Sequence, residues 1–549
     1  MNRRTVIVLN CLLPVLVPLA AAWAQENRAE EDVLMRALVD ELERSTKNLV
    51  LEDLGRPYFI QYSAKDTHGA RITAEYGGVT AERDNRRRSL STRVRVGSYE
   101  LDNTNTERGG GGAWLPIEND YKAIRQAIWL TTDADYKRAV ETLTWKKAYL
   151  QTKQKDEERP DDFSKVELVQ HMDPPAELTF DRQKWKQAVK ELSARFKQHP
   201  DIQQSSVTFG IGWGNFYLVN SEGTRLRRAD TGVDLRAYAS LQAKDGMYLA
   251  DSLTYVADRP ENLPSIEKIL ADIDQLCERL VIMSEAEILE HYTGPILFSA
   301  PAACIVFKSM LAEQLCARPL PLMGRSWPEE SMERKIERRI LPRTFTVYDD
   351  PTVERFKDTL LVGNYKFDDE AVPARRVTLV EGGTLKTLLA SRAPTRKIKA
   401  STGHGRSGGY GDAESTIACL FFSDEAGLPE DELREEFVQA VQDEGLEFGI
   451  RVDALEDGGS GYLGDPIRAY KVYAADGHEE PIRGVEFLPV EVRALRRLLA
   501  AGKNQHVHSD PAVPASIAAP SILFEELELT KIEEEWDKLP ILKAPAIRE

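Results

Sequence analysis

Two histidines near the end of the chain have the spacing of a metal-binding pair. His506 and His508 are separated by one residue, and residues two apart in a β-strand lie on the same face of the sheet. Both imidazoles could therefore reach one ion, and imidazole is a common zinc ligand. His404, in a glycine-rich stretch that runs to Gly411, is a third candidate ligand. The alternative for each of the three is an exposed loop histidine, which is the commoner role of a lone histidine among glycines.

Other motifs that carry hydrolytic or phosphate chemistry give little support. The sequence contains no H-E-x-x-H and no paired C-x-x-C. The classes of zinc protein that depend on those spacings are therefore not indicated. Residues 108–112 read R-G-G-G-G, and such a loop could cradle an anion. Because no Lys-Ser/Thr follows it, it is not a P-loop, and we interpret it as a connector.

The element that must position any chemistry is the stretch from Gly294 to Arg318. A Gly-Pro pair opens a short apolar strand at 296–298, and small residues at 299–301 interrupt it. Pro301 suits the first turn of a helix. Apolar residues then recur at spacings that face a core; they are Ile305, Val306, Leu311 and Leu315.

A second segment, 368–374, reads D-D-E-A-V-P-A, and a predicted hairpin over 376–389 follows it. Together with the strand and helix of 294–318, these residues resemble the TldD/PmbA family of zinc peptidases and their relatives. The family's version of this segment is D-D-E-G-V-P-A, so Ala371 replaces a glycine. The N-S-E-G-T turn at 220–224 and the closing strand at 519–529 are also similar, and the likeness is thin before residue 200.

The resemblance implies an H-E-x-x-x-H motif on the helix after the Gly-Pro strand. In register with Phe307, the first His falls on Lys308, the Glu on Ser309 and the second His on Glu313. A lysine ligand would first have to lose a proton, against an ordinary pKa of about 10.4. Serine is no general base at neutral pH, and Glu313 alone is a weak site. The family's third ligand, a Cys, would fall near His506.

The missing ligands resemble the PmbA/TldE type of subunit, which carries no metal. The resemblance implies that the chain lacks a zinc site and cofactor, and that it binds peptide or unfolded polypeptide, or serves as a partner subunit in proteolysis. It would then form a homo- or hetero-dimer with a TldD/PmbA-family subunit. The family has a glycine-rich loop bordering its cleft at this place, which makes His404, Arg406, Gly408 and Gly409 candidate peptide-binding residues.

Two alternatives stay open at this point. The first is an active metallopeptidase whose rebuilt site binds zinc through His506 and His508. The second is an envelope binding protein with no proteolytic role.

Composition and the first residues bear on location and on partners. The formal net charge of −17 in 549 residues makes nucleic-acid binding unfavourable. Arg3 and Arg4, an apolar run and an A-x-A site at 22–24 predict a signal peptide over 1–24. We therefore expect an exported protein, periplasmic or extracellular, without a membrane anchor once the signal is removed.

The resemblance, together with consistent periodicity, implies a TldD/PmbA-like α+β protein of two domains, 25–290 and 291–549, with mixed or antiparallel sheets and packed helices. Helices are expected over 27–46, 118–152 and 265–283, and Asp181 can cap a further helix. Three short strands are expected between Tyr58 and Gly97. The basic run 86–88 is expected to be an exposed turn between two of them.

Overall fold

The computed structural model describes residues 32–50, 55–106, 110–153, 158–320, 322, 332–407, 412–459, 461–510, 514–534, 536–537, 539–540 and 542. The predicted signal peptide, 1–24, lies outside these ranges, and so do Gly408 and Gly409. Within them, no helix is both long enough and apolar enough to span a bilayer.

The first half of the chain forms one sheet with helices packed on it. Its strands follow the order β3-β2-β1-β5-β6-β4, and β7 also pairs with β6. The strands are β1 (Pro57–Glu75), β2 (Gly78–Val96), β3 (Gly111–Trp114), β4 (Gln170–Met172), β5 (Gln204–Asn220), β6 (Arg225–Gln242) and β7 (Tyr248–Ala257). The helices are α1 (Val33–Asn48), α2 (Tyr121–Gln151), α3 (Arg182–Ala194) and α4 (Ile266–Glu285), with 3-10 turns at Arg195–Gln198 and Pro260–Asn262.

Local signals correctly placed several of these elements. Asp181 caps α3 by accepting a hydrogen bond from the amide of Lys184, as expected of an N-cap aspartate. The predicted turn at 220–224 joins β5 to β6. Helix α2 begins and ends within three residues of the prediction.

The predicted three strands between Tyr58 and Gly97 were wrong. Instead β1 and β2 are each 19 residues long and form one hairpin, turning at Tyr76 and Gly77, both with positive φ. The run 86–88 lies inside β2, and Arg88 is buried, donating to Asp66 at 2.5 Å. The alternation that signals a strand is lost in β2 because residues 82–87 are all exposed.

The second half forms a larger mixed sheet, ordered β14-β13-β10-β17-β23-β9-β18-β19-β20-β8, with β21 and β22 also paired to β23. The longer strands are β9 (His291–Phe298), β10 (Phe345–Asp349), β13 (Val377–Glu381), β17 (Cys419–Asp424), β18 (Phe448–Leu455), β19 (Pro466–Tyr473), β20 (Glu479–Arg483), β22 (Leu498–Asp510) and β23 (Ala515–Lys531). The shorter strands of this sheet are β8 (Glu287–Ile288), β14 (Thr384–Leu385) and β21 (Val485–Phe487). Two separate two-stranded sheets are formed by β11 (Arg355–Phe356) with β12 (Thr359–Leu360), and by β15 (Gly405–Arg406) with β16 (Glu414–Ser415).

Two helices flank this sheet, α5 (Ala300–Phe307) and α6 (Glu430–Asp443), with short helical turns at Lys308–Ala312, Glu313–Leu315, Met332–Lys335 and Val492–Arg497. Strand β23 pairs in parallel with β17 and antiparallel with β9. It is therefore a central strand, and its residues 515–524 are buried. The predicted α+β class with mixed sheets is confirmed.

The two halves meet around a buried arginine. The side chain of Arg392 is fully buried and makes two hydrogen bonds of 2.8 Å to the carboxylate of Glu222. It also donates to the carbonyl oxygen of Ser164 and lies over the ring of Phe163 at 4.0 Å. A bidentate arginine–carboxylate pair fixes geometry as well as charge, so this contact sets how the N-terminal hairpin turn sits on the C-terminal sheet.

Replacing Arg392 with methionine should destabilise the protein by about 3–5 kcal/mol, because Glu222 loses its buried cationic partner. Denaturant unfolding of the purified protein measures the loss. The matched control is Lys137→Met, which breaks an exposed pair with Asp133 and should cost about 0.5 kcal/mol or less. Equal effects of the two substitutions would contradict the role given to Arg392.

Candidate functional site

A wide helical turn follows α5 at the place where the resemblance puts the metal motif. Ser299 precedes the helix and Pro301 lies in its first turn. From Lys308 to Ala312 the chain then forms a π-helical turn. In such a turn residue i bonds to residue i+5, and π turns occur often at functional sites. On a regular α-helix, the side chains of positions 308 and 313 would point in different directions. The wide turn reduces that difference, although Glu313 itself is exposed.

The ammonium group of Lys308 is held between two carboxylates. It donates to Asp457 at 2.8 Å and to Asp510 at 3.0 Å. Asp457 lies in the loop after β18, and Asp510 is the last residue of β22. Partial burial lowers the pKa of Lys308, but hydrogen bonds and charge from the two aspartates outweigh burial and leave the pKa raised. The lysine is thus a cation over the physiological range.

The histidine pair lies on β22 beside this cation. Burial lowers the pKa of both His506 and His508, and the charge of Lys308 lowers that of His508 further. Both rings are therefore neutral at neutral pH. The thiol of Cys304 donates to the carbonyl oxygens of His506 and Ile517. Burial raises the pKa of Cys304 to about 12, so this thiol stays protonated.

This set of donors does not fit a zinc ion at the wide turn. An ammonium stands where the resemblance puts the first imidazole. Ser309, where it puts the general base, is buried, and its hydroxyl lacks a partner in the described structure. Metal sites need deprotonated ligands around one point. Among the described ranges, no group of three or more His, Cys, Asp and Glu side chains is placed to hold an ion.

His404 is in the interior, far from the exposed loop position considered for it. The side chain is fully buried, with Nε2 3.2 Å from Asp349 and Nδ1 3.1 Å from both oxygens of Thr402. Asp349 in turn accepts from the amides of Ala418 and Cys419. The ring therefore orders the loop from inside, and both of its nitrogens are engaged.

The next predicted residue, Arg406, pairs with the middle one of three consecutive buried acids, Asp368 to Glu370. Asp369 lies 3.5 Å from Arg406 and 3.3 Å from Arg228 of the first sheet. Burial raises the pKa of Asp369, but these two guanidinium groups outweigh burial and hold it at about 2. Arg406 thus joins an ion cluster between the two halves of the chain. Its predicted neighbours Gly408 and Gly409 lie outside the described residues.

The other two acids are harder to ionise. Asp368 accepts from the amides of Val372 and Gly405, at 2.8 and 2.9 Å. Glu370 accepts from the amide of Arg392 at 2.6 Å. Burial, and then the charge of Asp368, raises the pKa of Glu370, and burial also raises that of Asp368.

Ala371, which replaces the family's glycine, has φ +62°. This left-handed conformation is the one that glycine adopts most easily. The methyl group of Ala371 is buried with three apolar residues of β5 and β6, namely Phe216, Leu218 and Leu226. The side chain of Ala371 therefore adds apolar packing against the first sheet, at a position whose backbone conformation is strained for alanine.

Three features of the site were missed from the sequence. Asp510 had a usable signal, because it continues the 506, 508 alternation on β22; Asp457 had none. Residues 405–409 also match G-x-S-x-G. That motif needs a strand–turn–helix, whereas the next described element after β15 is the short strand β16.

Comparison with known sequences identifies the second half of the chain. Residues 291–531 match the sequence model of the PmbA/TldA metallopeptidase C-terminal domain. A metalloprotease of Archaeoglobus fulgidus is 33% identical over 78 residues, which are 14% of this chain and 17% of that protein. A metalloprotease of Methanocaldococcus jannaschii is 38% identical over 76 residues, 14% of this chain and 16% of that protein. The chain thus aligns with less than a fifth of either relative.

Comparison with solved structures covers most of the chain. TldE of Thermococcus kodakarensis has a TM-score of 0.58 and 15% identity, over 90% of this chain and 100% of that one. A Thermotoga maritima protein, described as a proposed modulator of a DNA gyrase, has the same score and identity over 90% and 99%. At such identities the likeness shows a shared fold.

The pH dependence of stability should change when Glu370 becomes glutamine. Its folded pKa is raised above the ordinary 4.5, so the folded state keeps a proton that the unfolded state releases. Wild-type stability should therefore fall relative to Glu370→Gln as the pH rises from about 4.5 through neutrality. Urea unfolding at several pH values measures the difference. Glu354→Gln, at an exposed glutamate, is the control. A difference between wild type and Glu370→Gln that does not grow with pH would contradict this.

Proposed function

Because the chain belongs to the TldD/PmbA family, we propose that it acts in proteolysis as a metal-free member that binds peptide or a catalytic family subunit. In this proposal it performs no zinc chemistry of its own at the wide turn after α5. It is exported, on the strength of the basic, apolar and A-x-A pattern of residues 1–24.

One observation carries the metal-free part of the proposal. Lys308 places a positive charge, with bonds of 2.8 and 3.0 Å to Asp457 and Asp510, on the turn where the family resemblance puts a zinc ligand. A zinc ion beside this ammonium would be repelled by it, and the ammonium already bonds both carboxylates and offsets one of their two negative charges. Ser309 offers no group that could take a proton from water at neutral pH.

Peptide binding is supported by the edges of the first sheet. Strand β2 pairs with β1 along almost its whole length, but β3 covers only residues 89–92 on its other side. Residues 78–88 of β2 therefore present backbone groups that no described strand pairs. An extended peptide can add to such an edge through main-chain hydrogen bonds, which suits a protein that receives unfolded chains.

Metal analysis of the purified mature protein tests the missing zinc site. We expect far less than one zinc per chain, before and after incubation with zinc followed by gel filtration, because Lys308 repels the ion. Lys308→Met is the matched variant, since it removes the charge and leaves His506 and His508 in place. Stoichiometric zinc in the wild type that is lost on replacing both histidines with alanine would overturn the proposal in favour of a rebuilt metallopeptidase.

A cleavage assay tests the partner role. The purified protein alone should not cleave an unfolded fluorogenic peptide, and cleavage should appear when a metal-bearing family subunit is co-expressed and co-purified. Addition of a chelator should abolish only the activity of the pair. Chelator-sensitive cleavage by the protein alone would contradict the proposal. Absence of both peptide and partner in pull-downs would favour a binding protein with no proteolytic role.

A further inference from the structure

A small polar cavity lies where the two halves of the chain meet. Its residues are different from those around Lys308. It is lined by Arg93 and Arg95 of β2, Asp135 and Arg138 of α2, Gly110 and Asp412. Arg93 and Arg95 are two apart on one strand, so they lie on the same face. Arg138 pairs with Asp135 at 3.6 Å, so Arg93 and Arg95 are the two guanidinium groups that favour an anionic occupant.

Arg95 is fixed by the protein. Its side chain is buried, with Nη1 donating to Asp102 at 3.0 Å and to Thr104 at 2.8 Å. Its guanidinium lies 3.8 Å from the centroid of the Phe163 ring. The Nε atom is buried and has no hydrogen-bond partner in the described structure. A buried donor without a partner is costly, and here it belongs to a side chain that lines the cavity.

The guanidinium of Arg93 can lie close to the backbone because residue 110 is a glycine. Its Nη1 donates to the carbonyl oxygen of Thr92 at 2.7 Å, and a Cβ at Gly110 would lie 2.3 Å from that same Nη1. Only glycine leaves room there. The glycine run from 109 to 112, interpreted from sequence as a connector, therefore includes a residue whose smallness lets the guanidinium occupy its position.

The carboxylate that lies against Arg93 in this cavity comes from the other half of the chain. The carboxylate of Asp412 lies 2.9 Å from Nε of Arg93 and 3.8 Å from Arg95. Its side chain is 35% exposed, whereas the two arginines are 9% and 7% exposed. The arginines thus form a rigid, buried receptor, and the aspartate that fills it is accessible to solvent and reaches it from outside.

The room left in the cavity limits what can enter. The space open to the centre of a water-sized sphere is about 20 Å³, enough for one or two water molecules. A peptide segment cannot fit beside Asp412. A ligand carboxylate can enter only by taking the place of the aspartate's own carboxylate.

We propose that Arg93 and Arg95 form a receptor for a carboxylate of a bound peptide, which displaces the side chain of Asp412. The inference deepens the proposed peptide binding and rests on it. The shared chemistry is a carboxylate, which a peptide can supply from its C-terminus or from a Glu or Asp side chain. Asp412 acts as an internal occupant that keeps the arginines paired when no peptide is present.

Fluorescence anisotropy with the full-length mature protein and labelled twelve-residue peptides tests the proposal. Three peptides share one Ala/Ser/Gln sequence: one with a free C-terminus, one amidated, and one amidated with a single internal Glu. The free acid should bind about tenfold more tightly than the amide, because charge-assisted hydrogen bonds are the strong ones. If the Glu peptide also binds tightly, the receptor accepts side-chain carboxylates as well.

Two variants assign the effect to this cavity. Asp412→Asn removes the competing charge without touching the arginines and should tighten binding of the free acid. Arg93→Gln should abolish the preference for the acid over the amide. Arg493→Gln, which alters an exposed arginine that pairs with Glu491 in the other half of the chain, should leave the preference unchanged. Circular dichroism of each variant checks that it is folded.

The failures of the two proposals are distinguishable. Equal affinity for all three peptides, or no response to Asp412→Asn, overturns the carboxylate receptor and leaves peptide binding standing. Absence of binding by any peptide overturns peptide binding, and the receptor with it.

Discussion

The two hydrogen bonds from Lys308 join three elements of the C-terminal sheet region: the wide turn after α5, the loop after β18 and the end of β22. One ammonium shared by two aspartates balances charge that would otherwise accumulate at this corner of a strongly acidic chain. The neutral state of His506 and His508 follows in part from the same charge and in part from burial. The electrostatics of this corner thus depend on a protein cation.

A second set of charges lies between the two halves of the chain. Arg392 pairs with Glu222, Arg228 with Asp369, and Arg93 with Asp412. Buried ion pairs add little net stability, but breaking one leaves an uncompensated charge in the interior. The main effect of these pairs is therefore to fix the position of the first sheet on the second, and their net contribution to the free energy of unfolding is small. The strained Ala371 and its apolar neighbours pack in the same region.

The comparison with TldE shows that this architecture is shared at low sequence identity. A fold of this kind constrains where groups are placed and leaves their chemistry to a few side chains. The wide turn at Lys308–Ala312 is an example, because it is a backbone feature suited to bringing positions i and i+5 together. In this chain the turn carries an ammonium, at Lys308, and is followed by an exposed glutamate, Glu313.

The sequence by itself determined the strand–helix unit of 294–318, the capped helix after Asp181, the hairpin at 220–224 and the residue types at 308 and 309. These are local patterns, in which neighbours along the chain decide conformation or a side chain decides its own charge. Only the tertiary structure decided that Asp457 and Asp510 meet Lys308, that His404 is buried against Asp349, and that β1 and β2 form one long hairpin. The paired residues are 149, 202 and 55 positions apart, and such contacts depend on how the sheets are assembled, which no periodicity records.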